Sequence, residues 1–121
     1  MVARTMARTK RFDAVICLGA VIRGDTPHFD YISAETSRGI GQAALDADVP
    51  IIFGVLTTHT IEQAIERSDP TKFNRGGEAA KSAIEMAAVM RLLRAGEEIV
   101  PRVEVPGVRG AKKRTPRKRK S

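Results

Sequence analysis

FDAVICLGAVI, residues 12–22, decides the architecture. Apart from Asp13 near its start the run is apolar and rich in β-branched residues, with Gly19 inside it. Continuous apolarity over so short a stretch suits a strand buried on both faces, as strands of a parallel sheet are. It ends at the polar hexapeptide RGDTPH, residues 23–28, which reads as a loop. Thr26 is a good N-cap and Pro27 suits a first helical position. A helix is therefore expected from about residue 28 to 47. There Phe29, Ile32, Thr36, Ile40, Ala43 and Ala47 recur at three- and four-residue steps and define one buried face.

Working outward, VPIIFGVL at 49–56 is a second buried strand, with Pro50 tolerated near its start. Thr60 and Gln63 form a capping box for a short helix over 61–68. The polar stretch SDPTKFNRGG at 68–77 reads as a loop that carries Arg75. A last helix is expected over about 77–95, with Ala79, Ala83, Met86, Ala87, Met90 and Leu93 as its apolar stripe and Gly96 as its C-cap. Strands alternating with helices imply a parallel sheet with right-handed crossovers. Residues 1–11, MVARTMARTKR, read as a short helix or a disordered arm, and residues 97–121 as a disordered tail. Two strands make a poor sheet by themselves, and an unpaired apolar edge invites a partner. The sheet is expected to need cover from further chain or from another subunit, and a lone monomer is not expected to fold stably.

The 121 residues allow one domain, and the 42% hydrophobic content allows a packed core. Aromatic residues are only 4% and Trp is absent, so base or sugar stacking is not the theme. The lone Cys17 excludes an internal disulfide; it reads as a small buried apolar group in a protein of a reducing compartment, the cytoplasm. No apolar run approaches the roughly 20 residues of a membrane span. The net charge of +7 is unevenly placed: +4 on residues 1–11, −5 on 12–98 and +8 on 99–121. The basic pI thus belongs to the ends and the body is mildly acidic. The tail KKRTPRKRK reads as a solvating extension or as a polyanion-binding segment for nucleic acid or acidic cargo.

Ligands of open parallel α/β sheets sit beyond the carboxyl ends of the strands. The loop Gly24–Asp25–Thr26–Pro27–His28 falls there, at the start of a helix whose free N–H groups and dipole favour an anion. Thr26 offers a hydroxyl, and His28 a group suited to moving protons near neutral pH. Phe53 is expected at the end of the second strand, as an apolar wall of the same crevice. Arg67, at the end of the short helix, and Arg75 offer planar forks of donors for a phosphate. Together these residues suggest an anion site with a proton-transfer histidine, and they do not by themselves identify a reaction. His59 reads as a surface residue, and Arg23–Gly24–Asp25 as part of the anion loop rather than an adhesion tripeptide. His28, His59 and Cys17 lack metal-ligand spacing, so no metal is expected.

FDAVICLGAVIRGDTPHFDYISAETSRGI, PIIFGVLTTHTIEQAIERS and NRGGEAAKSAIEMAAVMRLL closely resemble the lumazine synthase family, over roughly residues 9–95. The resemblance implies a flavodoxin-like three-layer α/β/α sandwich with a parallel sheet, of which this chain carries two of the four family strands. It implies the C-terminal part of that domain at 12–96, preceded by a basic arm at 1–11 that is the remnant of a helix, and followed by the tail. In full-length members another strand–helix–strand–helix unit comes first, supplying a central strand, an aromatic residue stacking on the pyrimidine and a segment that holds the ribityl chain.

The activity implied is condensation of 5-amino-6-(D-ribitylamino)uracil with 3,4-dihydroxy-2-butanone 4-phosphate in riboflavin biosynthesis, with no cofactor. By position, His28 matches the family's proton-transfer histidine. Asp25 and Thr26 match the pair that binds the butanone phosphate, and Arg67 its arginine clamp. Ala20, Val21 and Ile22 match the backbone segment that recognises the pyrimidine, and Phe53 the apolar pocket lining. Arg75 stands where the family usually has lysine: the charge is kept, the compact ammonium is not. The family assembles as pentamers, in some members as a shell of sixty subunits, with sites shared between neighbours. The alternative is a catalytically incompetent relative or fragment that serves as an assembly module with a polyanion-binding tail.

Overall fold

The computed structural model describes residues 1–96; the tail assigned to 97–121 lies outside the described residues. The described elements are α1 (Val2–Arg8), β1 (Val15–Ile22), α2 (His28–Ala47), β2 (Ile51–Thr58), α3 (Ile61–Ser68) and α4 (Arg75–Ala95). β1 and β2 pair in parallel, from Val15 opposite Ile51 to Ile22 opposite Thr58, and α2 is the crossover between them. The ladder overruns both strands by one residue. The Val15 amide donates to the Pro50 carbonyl at 2.9 Å, and the Arg23 amide to the Thr58 carbonyl at 2.9 Å. The second strand was expected at 49–56 and lies at Ile51–Thr58. Pro50 has no N–H for the ladder, so it flanks the strand, while the β-branched Thr57 and Thr58 extend it.

Alternation along the strands separates two layers of helix. Val15, Cys17 and Ile51 pack with Ala7 of α1 and with Ile40, Ala43 and Ala47 of α2. The opposite face meets α4 at Gly54, where an added Cβ would lie 2.7 Å from Leu18 Cδ2, 3.0 Å from the Cys17 carbonyl oxygen and 3.3 Å from Ala79 Cβ. Glycine is therefore what lets α4 approach the sheet. On that same face Ile61, Ala64 and Ile65 of α3 border a cleft with Leu18, Ala20 and Leu56. The result is an α/β/α arrangement on two parallel strands, the portion of a flavodoxin-like sandwich that the sequence implied.

The arm resolves in favour of helix. α1 buries Ala7 completely and pairs Arg4 with Asp46 of α2 at 3.2 Å. α2 has the expected bounds, and Phe29, Thr36, Ile40, Ala43 and Ala47 are half-buried or buried as expected, whereas Ile32 is exposed. Its N-cap is Pro27 rather than Thr26, and no side chain caps it. The restriction that proline places on the preceding residue keeps Thr26 outside the helix. α2 ends at Asp48, in the left-handed region at φ 53°, and Arg94 of α4 donates to its carbonyl at 2.5 Å.

α4 begins at Arg75, two residues earlier than expected, with Gly96 at φ 70° as its C-cap. Ala79 and Ala83 are buried and Ala87 and Met90 half-buried, but Met86 and Leu93 are exposed. β1 stands out: Ile16, Leu18 and Ile22 are all exposed, because among the described residues only β2 pairs with it. Covering Leu18 alone would stabilise the fold by about 1.5–3 kcal/mol. No helix among the described residues is long and apolar enough to cross a membrane.

Candidate active site

The loop between β1 and α2 lies at the carboxyl end of the sheet and holds Gly24, Asp25, Thr26 and His28, all exposed. The Thr26 hydroxyl oxygen accepts from the His28 amide at 3.5 Å, a loose turn contact rather than a cap. His28 is the first residue of α2, so its side chain stands beside the positive end of the helix dipole. Ala20, Val21 and Ile22 close β1 and pair with Leu56, Thr57 and Thr58. Ala20 and Ile22 border a groove of about 380 Å³ with Ile61 and Ile65 of α3, an apolar strip leading to the same end of the sheet.

The other candidates gather elsewhere. Phe53, Arg67 and Arg75 line one cleft of about 350 Å³ on the open side of β2, together with Glu78, Ala79 and Ser82. Phe53 is the third residue of β2, not its end, because the strand runs on to Thr58. Arg75 is the first residue of α4, not part of a loop. Its Nη1 lies 2.6 Å from Glu78 Oε2. Asp25, Thr26 and His28 are not in the lining of this cleft. His28 and the arginine pair therefore do not share this cleft.

Two residues escaped sequence reasoning. Phe73 lies between the arginines, with Arg67 Cζ at 5.6 Å and Arg75 Cζ at 5.8 Å from its ring centroid. Cation–π attraction gathers two like charges that would otherwise separate. A lone phenylalanine in an otherwise polar loop was the available signal. Arg23 was passed over as part of the anion loop; its side chain reaches Asp30 and His59, which no sequence spacing announces.

The turn that joins the two arginines is fixed by Asp69. Its carboxylate accepts from both the Thr71 amide and the Thr71 hydroxyl at 2.7 Å. Those bonds, with Lys72 adding charge, hold the carboxyl below the usual aspartate range. Glu62, in the first turn of α3, is lowered likewise by its backbone bond and by Thr60. Burial pushes the Cys17 thiol up, against a smaller opposing pull from the amino terminus. Cys17 packs against the buried cluster of Ala7, Val15, Ala43 and Ile51.

The sequence model of the 6,7-dimethyl-8-ribityllumazine synthase family matches residues 1–91. The chain belongs to this family. The 6,7-dimethyl-8-ribityllumazine synthase of Syntrophus aciditrophicus (strain SB) is 62% identical over 91 residues. That match covers 75% of this chain and 59% of the relative, so the chain spans about three fifths of the lumazine synthase it matches. The family match takes in α1 as well as the motifs, both the histidine loop and the arginine pair among them.

Proposed function

We propose that this chain contributes the catalytic histidine loop and the arginine cleft of a 6,7-dimethyl-8-ribityllumazine synthase. The single observation that carries the reading is the family match over residues 1–91, which spans both clusters. The substrates are 5-amino-6-(D-ribitylamino)uracil and 3,4-dihydroxy-2-butanone 4-phosphate. The butanone phosphate is held by main-chain amides of the loop at Asp25 and Thr26, by the Thr26 hydroxyl, and by the helix dipole. The Asp25 carboxylate repels phosphate, so this residue contributes its amide. Arg67 and Arg75, steadied by Phe73, supply cationic forks that hold the phosphate and stabilise it as it leaves. Ala20, Val21 and Ile22 present backbone to the pyrimidine, and Phe53 walls its pocket.

The chemistry then needs little more than proximity and proton transfer. The uracil amine attacks the butanone carbonyl, and His28 moves the protons that turn the adduct into an imine. Phosphate departs, the ring closes, and a second dehydration yields the lumazine. The complete site is formed across a homo-oligomer, with Phe53, Arg67 and Arg75 from one subunit and His28 from its neighbour; that Asp25, Thr26 and His28 do not line the arginine cleft supports this reading. The assembly is a pentamer, or a shell of sixty subunits built from pentamers, in the cytoplasm. The basic segment 99–121 adds attraction for nucleic acid or acidic cargo; its net charge of +8 supports that reading, and the binding should weaken steeply with salt.

Formation of the fluorescent lumazine from the two substrates tests the function. The 121-residue chain should produce it, alone or with the remaining two fifths of the family domain supplied as a separate chain, and His28→Ala should not. No product under either condition sinks the enzyme reading and favours the assembly module.

A further inference from the structure

Arg23 is the first residue beyond β1, and its amide still belongs to the ladder through the Thr58 carbonyl. Its backbone is therefore fixed by the sheet. Its side chain is fully engaged. Nη2 donates to Asp30 Oδ1 at 2.6 Å and Nη1 to Asp30 Oδ2 at 3.4 Å, a two-pronged contact. Nε donates to Nδ1 of His59 at 3.1 Å. The guanidinium carbon also lies 4.6 Å from the centroid of the Phe29 ring.

These partners come from both sides of the histidine loop. Residues 24–28 lie between Arg23 and Asp30, so the ion pair closes that loop at its two ends. Between residues of the loop the described contact is the loose 3.5 Å one from the His28 amide to Thr26, and the Pro27 carbonyl accepts from the Asp30 amide at 3.0 Å as α2 begins. An added Cβ at Gly24 would meet nothing within 4 Å. The loop is thus held by its ends rather than by its own packing. His59 ties the same point to the turn after β2, and Phe29 ties it to the buried face of α2.

There is also an electrostatic consequence. Asp30 sits in the first turn of α2, where its negative charge opposes any anion at the helix start. Arg23 neutralises it in place. Both side chains are substantially exposed, at 37% and 58%. An exposed pair of this kind adds only about 0–1 kcal/mol to global stability. Its effect is local.

We infer that Arg23 is a positioning residue: one guanidinium clasps Asp30, His59 and Phe29 across loop 24–28, and so fixes Thr26 and His28 and screens Asp30 from a bound phosphate. The catalytic part rests on the function proposed above; the clasp itself does not.

Backbone order parameters of residues 24–28, measured by NMR on the full chain as it assembles in solution, test the clasp. In Arg23→Met and Asp30→Asn they should fall from about 0.85 to below about 0.6, with α4 unchanged. Arg23→Lys, which keeps the charge but not the fork, should lie between. Asp30→Asn breaks the pair from the exposed helix side and guards against a folding defect in the Arg23 variants. Order parameters equal to wild type in both variants overturn the inference, and so does a uniform loss across the whole chain. In the substrate assay Arg23→Met should raise KM for the butanone phosphate and lower kcat by about tenfold, with KM for the pyrimidine unchanged. Asp30→Asn added to Arg23→Met should restore the KM but not the kcat, a split that a purely structural role would not produce. A wild-type chain that forms no lumazine while the variants loosen the loop overturns the proposed function and supports the clasp.

Discussion

The histidine loop and the arginine cleft are built in opposite ways. The loop takes its residues from one short segment, 24–28, and is exposed throughout. The cleft draws Phe53 from β2, Arg67 from α3 and Arg75 from α4, and encloses about 350 Å³. One is a local device mounted on a helix start; the other exists only once three elements have packed. One offers backbone amides and an imidazole, the other cationic forks. Under the proposed function these are two halves of one chemistry, which a second copy of the chain reunites.

The sharpest way to break this comparison is to disable each half in turn. His28→Ala should reduce product formation by about 10²–10⁴-fold, the usual worth of a positioned general acid–base. Arg67→Ala removes a charge-assisted contact of about 1.5–3 kcal/mol and should raise KM for the phosphate substrate by about 10- to 100-fold. If the two halves meet between subunits, mixing the two inactive chains should recover activity, because some mixed sites contain both intact halves. Mixtures that stay as dead as their components would place both halves within a single chain.

A third test probes what the cleft needs and the loop does not, namely packing between layers. Gly54→Ala places a methyl 2.7 Å from Leu18 and 3.3 Å from Ala79. The overpacking should cost about 1–3 kcal/mol in a melting experiment. Displacing α4 would carry Arg75 with it, so phosphate-substrate KM should rise while the proton-transfer step is spared. By contrast Gly24→Ala, in open space, should leave stability nearly unchanged.

The same contrast explains what could be read from the sequence. α2 was legible over His28–Ala47 because Pro27 and an apolar period mark it, and α3 because Thr60 and Gln63 announce it. There the Thr60 hydroxyl accepts from the Gln63 amide at 3.2 Å, and the Gln63 side chain accepts from the His59 amide at 2.9 Å. The start of α4 was not legible, since Gly76 and Gly77 look like loop. Gly77 is there for another reason: the Asn74 side chain caps its amide at 3.1 Å, and a Cβ would lie 2.5 Å from Asn74 Nδ2. Phe53 was expected at the end of β2 and is its third residue, because its place depends on how far β2 runs past Leu56. The strand partner Val21 and Ile22 settle that by pairing with Thr57 and Thr58, and pairing is not written in either strand alone. Loop 24–28 was placed correctly because everything in it is local; the Arg23 clasp was missed because His59 is remote.

The smallest expected effect concerns the turn that spaces the two arginines. Asp69 accepts from Thr71 through its carboxylate, and from the Lys72 and Asn74 amides, at 3.1 and 3.0 Å, through its carbonyl. Only the carboxylate bonds depend on protonation. Because the folded carboxyl is held below its ordinary value of 3.8, its contribution is present in full above that value and is lost as pH falls through the lowered one. The Thr71 amide resonance should therefore stay fixed down to about the ordinary aspartate range and shift only below it. Asp69→Asn, which keeps an acceptor oxygen but no charge, should abolish that acid shift. It should also loosen the turn slightly at neutral pH and raise phosphate-substrate KM less than Arg67→Ala does. The carbonyl bonds survive the substitution and keep Asn74, the cap of α4, in place. A Thr71 shift centred above the ordinary aspartate value would mean that the turn is not held by the charged carboxylate. The arginine spacing would then rest on Phe73 alone.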